Sequence, residues 1–575
     1  MKRSRLSKRI DSFEDGVAVQ GLDSKVMMEI EQAPNQVLRL AAKRPFGVAM
    51  GTTLMLLLAY PPLGWWGFAW LALVPTFALV AVPQFETKHP YRSIWFSGWI
   101  FWGLQVYYVP MPHPALWFAW LLLFTYLSIY PLLLVWVSRK MVHRHGLPMV
   151  LAIPITLTAL EWIRAHALSG FGFVMLSNSQ YEVPIVLQVC DLCGAYGLSF
   201  LIALFSGGCY GFISGQRIKG AMICSAVAIF VLTYGATRIA IEPEDSQPLK
   251  VAVIQGNIDT RFPDTEEELA EYQRQRFEDY MKLQNEWQRG LKDEEVDVVV
   301  WPEGKYPIPD FLPGGGRKEA DAREHFRAFH RMVNEGVAEN KNAGTENSIP
   351  LMIVGANSID PKDDKYFNSA LLIDGNGQVV GRYHKLALVP FGEFIPFSEW
   401  FPGLAKMTPV GSGMDAGENA AAFHVKGQFV MPFICFESAI THHVRESIAY
   451  LKSLGKEPDI MVNVTDDGWF YGHTALDQHL ACNVMRAVEN RKPLVVAANT
   501  GLSAIIASNG KIIRKGGRRK SEVLVSEIQR HPTSALYASV GDWPVIAMVL
   551  FCVWAILLPP FKKQTSPSVA PPPVD

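Results

Sequence analysis

The sequence predicts a polytopic α-helical membrane domain with about eight spans, joined to an α/β domain that lies outside the cytoplasm. Residues 45–241 of the 575-residue chain carry few charged side chains, whereas residues 242–535 have the composition of a globular domain. In that second region, apolar runs of strand length alternate with helical patterns, which is typical of α/β architecture. One more apolar segment follows near the carboxyl terminus.

Eight apolar segments approach the length of about 20 residues that a helix needs to cross a bilayer. They cover roughly residues 45–60, 64–83, 93–111, 114–137, 147–165, 185–214, 220–240 and 543–561. We expect five parts: an amino-terminal extension (1–44), a domain of seven spans (45–241), the α/β domain (242–540), an eighth span (541–562) and a disordered tail (563–575).

Lysine and arginine residues concentrate in every second loop between these segments. They precede the first span, separate spans two and three, four and five, and six and seven, and follow the eighth span. Because cytoplasmic loops are enriched in Lys and Arg, this alternation predicts that both termini are cytoplasmic and that the α/β domain is extracytoplasmic. A large soluble helical core would explain the hydrophobicity but not the alternation.

The α/β domain contains five runs that predict buried strands, at residues 249–257, 296–301, 351–356, 459–464 and 493–498. Helical patterns lie between them, at residues 265–291, 319–341, 438–453 and 474–491. Glycine-containing turns at residues 375–377, 426–427 and 509–510 predict hairpins. This rhythm suits a sandwich of two sheets with helices on both outer faces.

Three residues that follow predicted strands suggest chemistry: Glu303, Lys385 and Cys435. Each alone has an ordinary interpretation, as a loop, surface or core residue. Together they fit nucleophilic catalysis, because a cysteine attacks as a thiolate and benefits from a base, a cation and a helix amino terminus nearby. We expect a helix to begin directly after Cys435. Glu303 would accept and return the thiol proton, and Lys385 with the backbone amide of Phe436 would stabilise the oxyanion.

These residues lie in motifs that resemble a known superfamily. Trp-Pro-Glu at 301–303, Tyr-His-Lys at 383–385 and Ile-Cys-Phe-Glu at 434–437 resemble, in order and spacing, the Glu–Lys–Cys triad of the nitrilase superfamily. A nitrilase-like domain between the seventh and eighth spans resembles the apolipoprotein N-acyltransferase family. The stretches at 255–258, 388–393 and 467–470 are similar to that family too.

The resemblance implies a nitrilase-like αββα sandwich and a two-step acyl transfer at the bacterial inner membrane. A phospholipid, with phosphatidylethanolamine as the expected donor, would acylate Cys435. The thioester would then acylate the amino-terminal amine of a diacylglyceryl-cysteine in an apolipoprotein. The resemblance implies no cofactor, and we expect a monomer that contacts membrane lipid.

Three further residues are expected to support the triad. Glu393 resembles a second glutamate near the nitrilase triad and would orient Lys385; alternatively, it binds loop amides. Glu437 resembles a functional glutamate of the family; alternatively, it caps the following helix. Phe436 stands where the family often has tyrosine, so a role for a hydroxyl group there does not carry over.

Aromatic residues are candidates for lipid contacts. Loop 394–413 has many apolar side chains for a water-exposed loop, so we expect it to lie against lipid and gate acyl chains. The family's Gly-Phe-Pro-Trp motif reads Gly-Phe-Gly-Phe at 170–173, and a family tryptophan after Gln-Gly-Asn-Ile has Phe262 as its nearest counterpart. The candidates are Trp400, Phe394, Phe173, Phe262, Tyr366 and Trp469.

Other function classes fit the sequence less well. The formal net charge of −1 and the lack of a basic stripe argue against nucleic-acid binding. The adjacent histidines 442 and 443 have no third ligand at a suitable spacing, so we expect no metal. Two alternatives remain: a membrane-anchored amidase or nitrilase that acts on a small amide, and a transporter or receptor whose outer domain only binds a ligand.

Overall fold

The computed structural model describes residues 36–114, 116–241, 247–260, 296–306, 310–311, 350–395 and 413–559. It also describes short stretches between 265 and 283, and positions 324, 398 and 400. The predicted helix at 319–341 and most of loop 394–413 lie outside them.

The amino-terminal half is a bundle of helices. Residues 36–43 are helical, and the longer helices are Pro45–Ala59, Val74–Ala81, Pro90–Gln105, Leu116–Leu127, Ile129–His145, Met149–His166, Cys190–Ile213 and Arg217–Ile239. The helix Trp543–Leu557 packs against Met149–His166 from the carboxyl-terminal end of the chain.

Three helices of the described chain are long and apolar enough to cross a membrane: Leu116–His145, Cys190–Ile213 and Arg217–Ile239. Pro45–Ala59, Trp66–Ala81 and Trp543–Leu557 are shorter apolar helices. Two expected spans are interrupted. The segment at 64–83 is a 3₁₀ turn, Trp66–Trp70, followed by the helix Val74–Ala81, and the segment at 185–214 has non-helical backbone at Cys193 and Gly194. The count of eight spans stays a prediction.

The carboxyl-terminal half is a sandwich of two sheets, as the alternating pattern predicts. Its strands are β1 (Leu249–Gln255), β2 (Val298–Trp301), β3 (Asp310–Phe311), β4 (Leu351–Asp360), β5 (Lys365–Ile373), β6 (Val379–His384), β7 (Phe423–Val425), β8 (Gln428–Ile434), β9 (Ile460–Thr465), β10 (Leu494–Ala498), β11 (Ala504–Ile506), β12 (Ile512–Lys515) and β13 (Glu522–Ile528).

The first sheet has the order β13-β1-β2-β4-β5-β6, with β3 paired to β4, and the second has the order β12-β11-β10-β9-β8-β7. The pairs β1–β2, β2–β4, β8–β9 and β9–β10 are parallel. The three predicted hairpins are confirmed: β5–β6, β7–β8 and β11–β12 are antiparallel neighbours. The carboxyl ends of the parallel strands therefore meet at one edge of the sandwich.

Side chains alternate between the two faces of each sheet, because successive strand residues point to opposite sides. On β1, Val251 and Val253 pack between the sheets, while Ala252 and Ile254 pack on the outer face with Trp301. The second sheet is covered by the helix Ala475–Asn490, which is buried along its whole length. That helix also packs against Cys190–Ile213, so it joins the sandwich to the helical half.

A buried ion cluster strengthens this junction. Asp191 in the helical half is fully buried, and its Oδ2 lies 2.6 Å from Nη2 of Arg491 and 2.8 Å from Nη2 of Arg238. Tyr234 donates its hydroxyl hydrogen to Asp191 Oδ1 at 2.6 Å. Because Arg491 directly follows the helix Ala475–Asn490, the cluster fixes the end of that helix to the bundle.

Candidate active site

The strand topology brings Glu303, Lys385 and Cys435 together. Glu303 lies two residues beyond β2, Lys385 directly follows β6, and Cys435 directly follows β8. β6 runs parallel to β2, because β4 is parallel to β2 and two antiparallel pairings separate it from β6. Two of the three residues therefore come from one edge of the first sheet, and Cys435 comes from the adjacent edge of the second.

Cys435 occupies a tight turn with a positive φ of 52°, a conformation that is uncommon for a residue with a side chain. Asn463 and His479 hold this turn in place. The Cys435 amide donates to Asn463 Oδ1 at 2.9 Å, and His479 Nε2 donates to the Cys435 carbonyl oxygen at 2.9 Å. Two buried side chains thus fix the backbone on both sides of the thiol-bearing carbon.

The expectation that an α-helix begins directly after Cys435 is wrong. Residues Cys435–Ala439 form a 3₁₀ turn, and the α-helix is Thr441–Ser453. The reason lies in Glu437, whose carboxylate accepts the backbone hydrogen of Ile434 at 2.6 Å and thereby stabilises a tight turn. Stabilisation of a thiolate must therefore come from side-chain charges rather than from the amino terminus of a long helix.

Lys385 lies between two carboxylates. Its side chain is 1% exposed, and Nζ lies 2.8 Å from Glu393 Oε1 and 3.3 Å from Glu303 Oε1. Burial alone would lower the pKa of Lys385, but Glu303, Glu393 and Cys435 together raise that pKa well above its ordinary value. Lys385 is therefore a cation beside the thiol, in a position to stabilise an oxyanion.

Glu303 has the environment of a proton acceptor with a raised pKa. Burial is the main cause of the rise; Lys385 opposes it and Glu393 adds to it. Burial and the charge of Glu303 likewise raise the pKa of the Cys435 thiol, against the effect of Lys385. These shifts favour the protonated thiol at rest and make Glu303 the candidate acceptor of its proton.

Glu393 and Glu437 have different positions. Glu393 binds Lys385 and also accepts the amide hydrogen of Val389 at 2.8 Å, so both interpretations of this residue have a contact in the structure. Glu437 does not cap the α-helix. It is fully buried and accepts the amide hydrogens of Leu386 at 2.7 Å and Ala387 at 3.0 Å.

Glu437 therefore links the segment after Lys385 to the turn that carries Cys435. Burial would raise the pKa of Glu437, but His443, 3.3 Å away, and the backbone donors lower it below its ordinary value. The carboxylate is ionised at neutral pH and can hold all of its donors.

A cavity of about 440 Å³ opens onto Cys435 at the junction of the two halves. Most of its wall is apolar, and its aromatic members are Tyr108, Tyr126, Phe171, Phe173, Phe391, Phe436 and Phe470. Leu116, Ala119, Leu122 and Leu123 of one bundle helix form another side. Asp467 and His479 are its ionisable side chains besides Cys435 and the tyrosines.

The glycine that replaces proline in the Gly-Phe-Gly-Phe motif permits a close contact. A Cβ atom at Gly172 would lie 1.9 Å from the carbonyl oxygen of Ala439, in the turn that begins at Cys435. Phe173 then reaches the cavity, and its ring centroid lies 5.9 Å from that of Phe436. The structure thus brings these two predicted residues into the wall beside the thiol.

The other predicted lipid contacts lie elsewhere. Phe394, Tyr366 and Trp469 do not line the cavity, although Phe470, the neighbour of Trp469, does. Trp400 is 75% exposed, and Phe262 lies outside the described residues. Their role in lipid binding stays a prediction.

Sequence reasoning missed several residues of the site. Asn368 donates from Nδ2 to Glu303 Oε1 at 2.6 Å and to Glu393 Oε1 at 2.7 Å. The sequence feature that could have identified Asn368 is its position in the interior of a strand, where asparagine is depleted. Asn463 in β9 gives the same signal. His479 pairs with Asp467 at 3.0 Å, which no local pattern indicates.

Two family models match the chain over the regions described above. The model "Apolipoprotein N-acyltransferase N-terminal domain" matches residues 52–208, and the model "Carbon-nitrogen hydrolase" matches residues 250–537, half of the chain. The chain belongs to the carbon–nitrogen hydrolase family, in its apolipoprotein N-acyltransferase branch. The expected nitrilase-like sandwich is thereby confirmed.

Full-length relatives agree with this membership. The chain is 28% identical over 531 residues to the apolipoprotein N-acyltransferase of Geobacter metallireducens, covering 88% of this chain and 94% of that protein. It is 25% identical over 538 residues to that of Rhodopirellula baltica, covering 85% and 92%. Among solved structures, the chain is similar to Nit3 of Saccharomyces cerevisiae, with 15% identity and a TM-score of 0.35. The match covers 52% of this chain and 95% of Nit3.

Proposed function

We propose that this chain transfers a fatty acyl group, through a thioester on Cys435, to the amino-terminal amine of an apolipoprotein. One observation carries the proposal: Cys435 opens into an apolar cavity at the junction with the helical bundle, beside Lys385 and Glu303. Its membership of the apolipoprotein N-acyltransferase branch supports the same reaction.

In the first step, the Cys435 sulfur attacks the ester carbonyl carbon of the donor while Glu303 accepts the thiol proton. Lys385 stabilises the negative charge on the tetrahedral oxygen. The carbon–oxygen bond to the donor then breaks, and Glu303 returns the proton to the departing alkoxide. The products are a thioester and a lysophospholipid.

In the second step, the amine of the diacylglyceryl-cysteine attacks the thioester carbon. Glu303 accepts a proton from the attacking nitrogen, and Lys385 again stabilises the oxyanion. The carbon–sulfur bond breaks, and the proton on Glu303 returns to the Cys435 sulfur. An amide and the free enzyme result, with the same two side chains used in both halves of the cycle.

The cavity wall argues against the amidase that the sequence left open. A small polar amide needs several converging polar groups to fix its orientation. Here aromatic and aliphatic side chains form most of the wall, which suits a hydrocarbon chain. A protein that only binds a ligand does not require a thiol, a buried lysine and two carboxylates in one cluster.

The membrane arrangement belongs to this proposal. We infer eight spans with the predicted boundaries, both termini in the cytoplasm, and the sandwich on the periplasmic side of the bacterial inner membrane. The alternation of basic loops supports this topology. Phosphatidylethanolamine as the donor, and a monomeric enzyme, are part of the same proposal.

The test is incubation of the purified full-length protein with phosphatidylethanolamine, followed by intact-mass measurement. We expect an acyl adduct that maps to Cys435 and that disappears when a diacylglyceryl peptide is added, as N-acyl peptide forms. The Cys435→Ala variant should give no adduct. The matched control Cys209→Ala removes a half-buried thiol from the bundle and should be acylated like the wild type. Hydrolysis of small amides without any adduct would refute the proposal.

A further inference from the structure

We propose that Lys305 and Asp466 are positioning residues that form a neutral ion pair behind Glu303, orient its carboxylate and adjust its proton affinity. This inference rests on the proposed function, in which Glu303 is the base. It concerns a second charge cluster, on the side of Glu303 opposite to Lys385 in the hydrogen-bond network.

The first observation is the ion pair itself. Lys305 is 1% exposed, and its Nζ donates to Asp466 Oδ2 at 2.6 Å. Lys305 lies two residues after Glu303, and Asp466 directly follows β9. A lysine is almost never fully buried unless it is paired, so this pair occupies a site where both charges must be present or both absent.

The second observation is the contact with the base. The backbone amide of Asp466 donates to Glu303 Oε2 at 2.8 Å. The other carboxylate oxygen, Oε1, is held by Asn368 and Lys385. Both oxygens of Glu303 are therefore directed, one by the Lys385 cluster and one by the backbone that carries Asp466.

The third observation is that Asp466 is fixed from several sides. Its Oδ1 accepts from Asn499 Nδ2 at 2.9 Å and from the amide of Gly468 at 3.2 Å, and Thr260 donates its hydroxyl hydrogen at 3.0 Å to Oδ2. Asn499 in turn accepts the amide hydrogen of Ile258 at 3.1 Å. The ends of β1, β9 and β10 thereby hold Asp466, and the amide it presents to Glu303 cannot move independently.

Several charged or titratable groups face Glu303 from the surrounding elements: Lys385, Glu393, Cys435, Asp466, Lys305 and His479. The carboxylate of Asp466 raises the pKa of Glu303, and the ammonium of Lys305 opposes this effect. The two charges of the pair act on Glu303 in opposite directions, so removing only one of them would shift the titration of Glu303.

The test uses charge removal and rescue in the full-length protein. Lys305→Gln leaves Asp466 as an uncompensated anion, so proton uptake by Glu303 becomes easier. In a plot of the rate of Cys435 thioester formation against pH, we expect the acidic limb to move to higher pH by on the order of one unit. The double variant K305Q/D466N removes both charges and should return the limb to the wild-type position. Lys515→Met, at a half-exposed surface pair, is the control and should leave the limb in place.

A second readout separates this inference from the proposed function. The rate at which iodoacetamide alkylates Cys435, measured by mass against pH, needs no lipid substrate and should shift in the same direction. If K305Q does not fold, two other variants test the pair. Lys305→Arg retains the charge and the double variant removes both charges, so the acidic limb of each pH profile should stay at its wild-type position.

An unmoved limb in K305Q, with lower stability only, would overturn the inference and leave a purely structural pair. A double variant whose limb stays displaced would overturn it too. Failure of the wild type to form any thioester, with alkylation shifts as expected, would instead count against the proposed function.

Discussion

Lys385 makes its shorter ion pair with Glu393, through a distance of 2.8 Å between Nζ and Oε1. Its distance to the carboxylate of Glu303 is longer, at 3.3 Å. Glu393 is therefore the fixed counterion of the lysine, which leaves Glu303 available to exchange a proton with the thiol. Glu393 and Glu303 have identical side chains, and their different distances to Lys385 distinguish the counterion from the candidate proton acceptor.

Replacing Glu393 by glutamine should move the whole pH profile of thioester formation towards acid. The charge of Glu393 raises the pKa of both Glu303 and Lys385, so its removal lowers both limbs. The maximal rate should fall about 10- to 100-fold, because a charged hydrogen bond that orients Lys385 is lost. Single-turnover acylation followed by mass spectrometry measures both effects.

The control for this experiment is Glu446→Gln, at a glutamate whose side chain is 62% exposed. It should leave the profile unchanged. A Glu393→Gln enzyme with a normal profile and a normal rate would show that Glu393 only binds the amide of Val389.

Asn368→Ala should move the acidic limb in the opposite direction. The amide hydrogen bond from Asn368 lowers the pKa of Glu303, so its loss raises that pKa further, and the base is protonated at a higher pH. The measurement is again the rate of Cys435 acylation against pH. Asn376→Ala, in the exposed turn between β5 and β6, is the matched control. A limb that moves to lower pH would contradict this account of the site.

Gly172→Ala should reduce acylation without unfolding the catalytic sandwich. The added Cβ would overlap the carbonyl oxygen of Ala439, so the Phe171–Phe173 segment or the turn that carries Cys435 must shift. We expect the rate to fall roughly 10- to 100-fold, as is usual when a reacting group moves by about 1 Å. Gly47→Ala, where a Cβ meets no atom within 4 Å, is the control. Equal activity of the two variants would show that residue 172 and the carbonyl of Ala439 can move apart without disturbing the site.

Asp191→Asn should destabilise the junction between the halves. It leaves the buried Arg491 and the partly buried Arg238 without their carboxylate, and breaking one partner of a buried ion pair costs about 3–5 kcal/mol. Thermal unfolding in detergent should show a clear loss of stability. Glu182→Gln removes a carboxylate that is 51% exposed and pairs with Lys515, so its expected effect is about 1 kcal/mol or less. Similar melting temperatures for both variants would rule out a structural role of the cluster.

The sequence was sufficient for features that depend on local pattern. Apolar runs of strand length predicted β1, β2, β4, β9 and β10, and glycine-containing turns predicted three hairpins, because both signals are local in the sequence. Glu303, Lys385 and Cys435 were found because each lies within two residues of the end of a strand and within a motif. Glu393 and Glu437 came only from resemblance.

Contacts between distant segments could not be predicted in the same way. Asn368 reaches Glu303 through strand pairing within the first sheet, whereas Asp466 reaches Glu303 and Lys305 only after the two sheets have packed. Nothing in their local sequence specifies these partners. The helix expected after Cys435 was wrong for a related reason. Glu437 binds amides of Ile434 and Leu386, and these tertiary bonds favour a 3₁₀ turn over continuous helix.

The wall of the catalytic cavity is divided between parts of the chain that are made at very different times. Phe171 and the helix that begins at Leu116 are translated long before Cys435, and the closing helix Trp543–Leu557 comes last. The helical part of the wall therefore precedes the nucleophile in the chain, whereas Phe470, Ala475 and His479, which complete the wall, follow it.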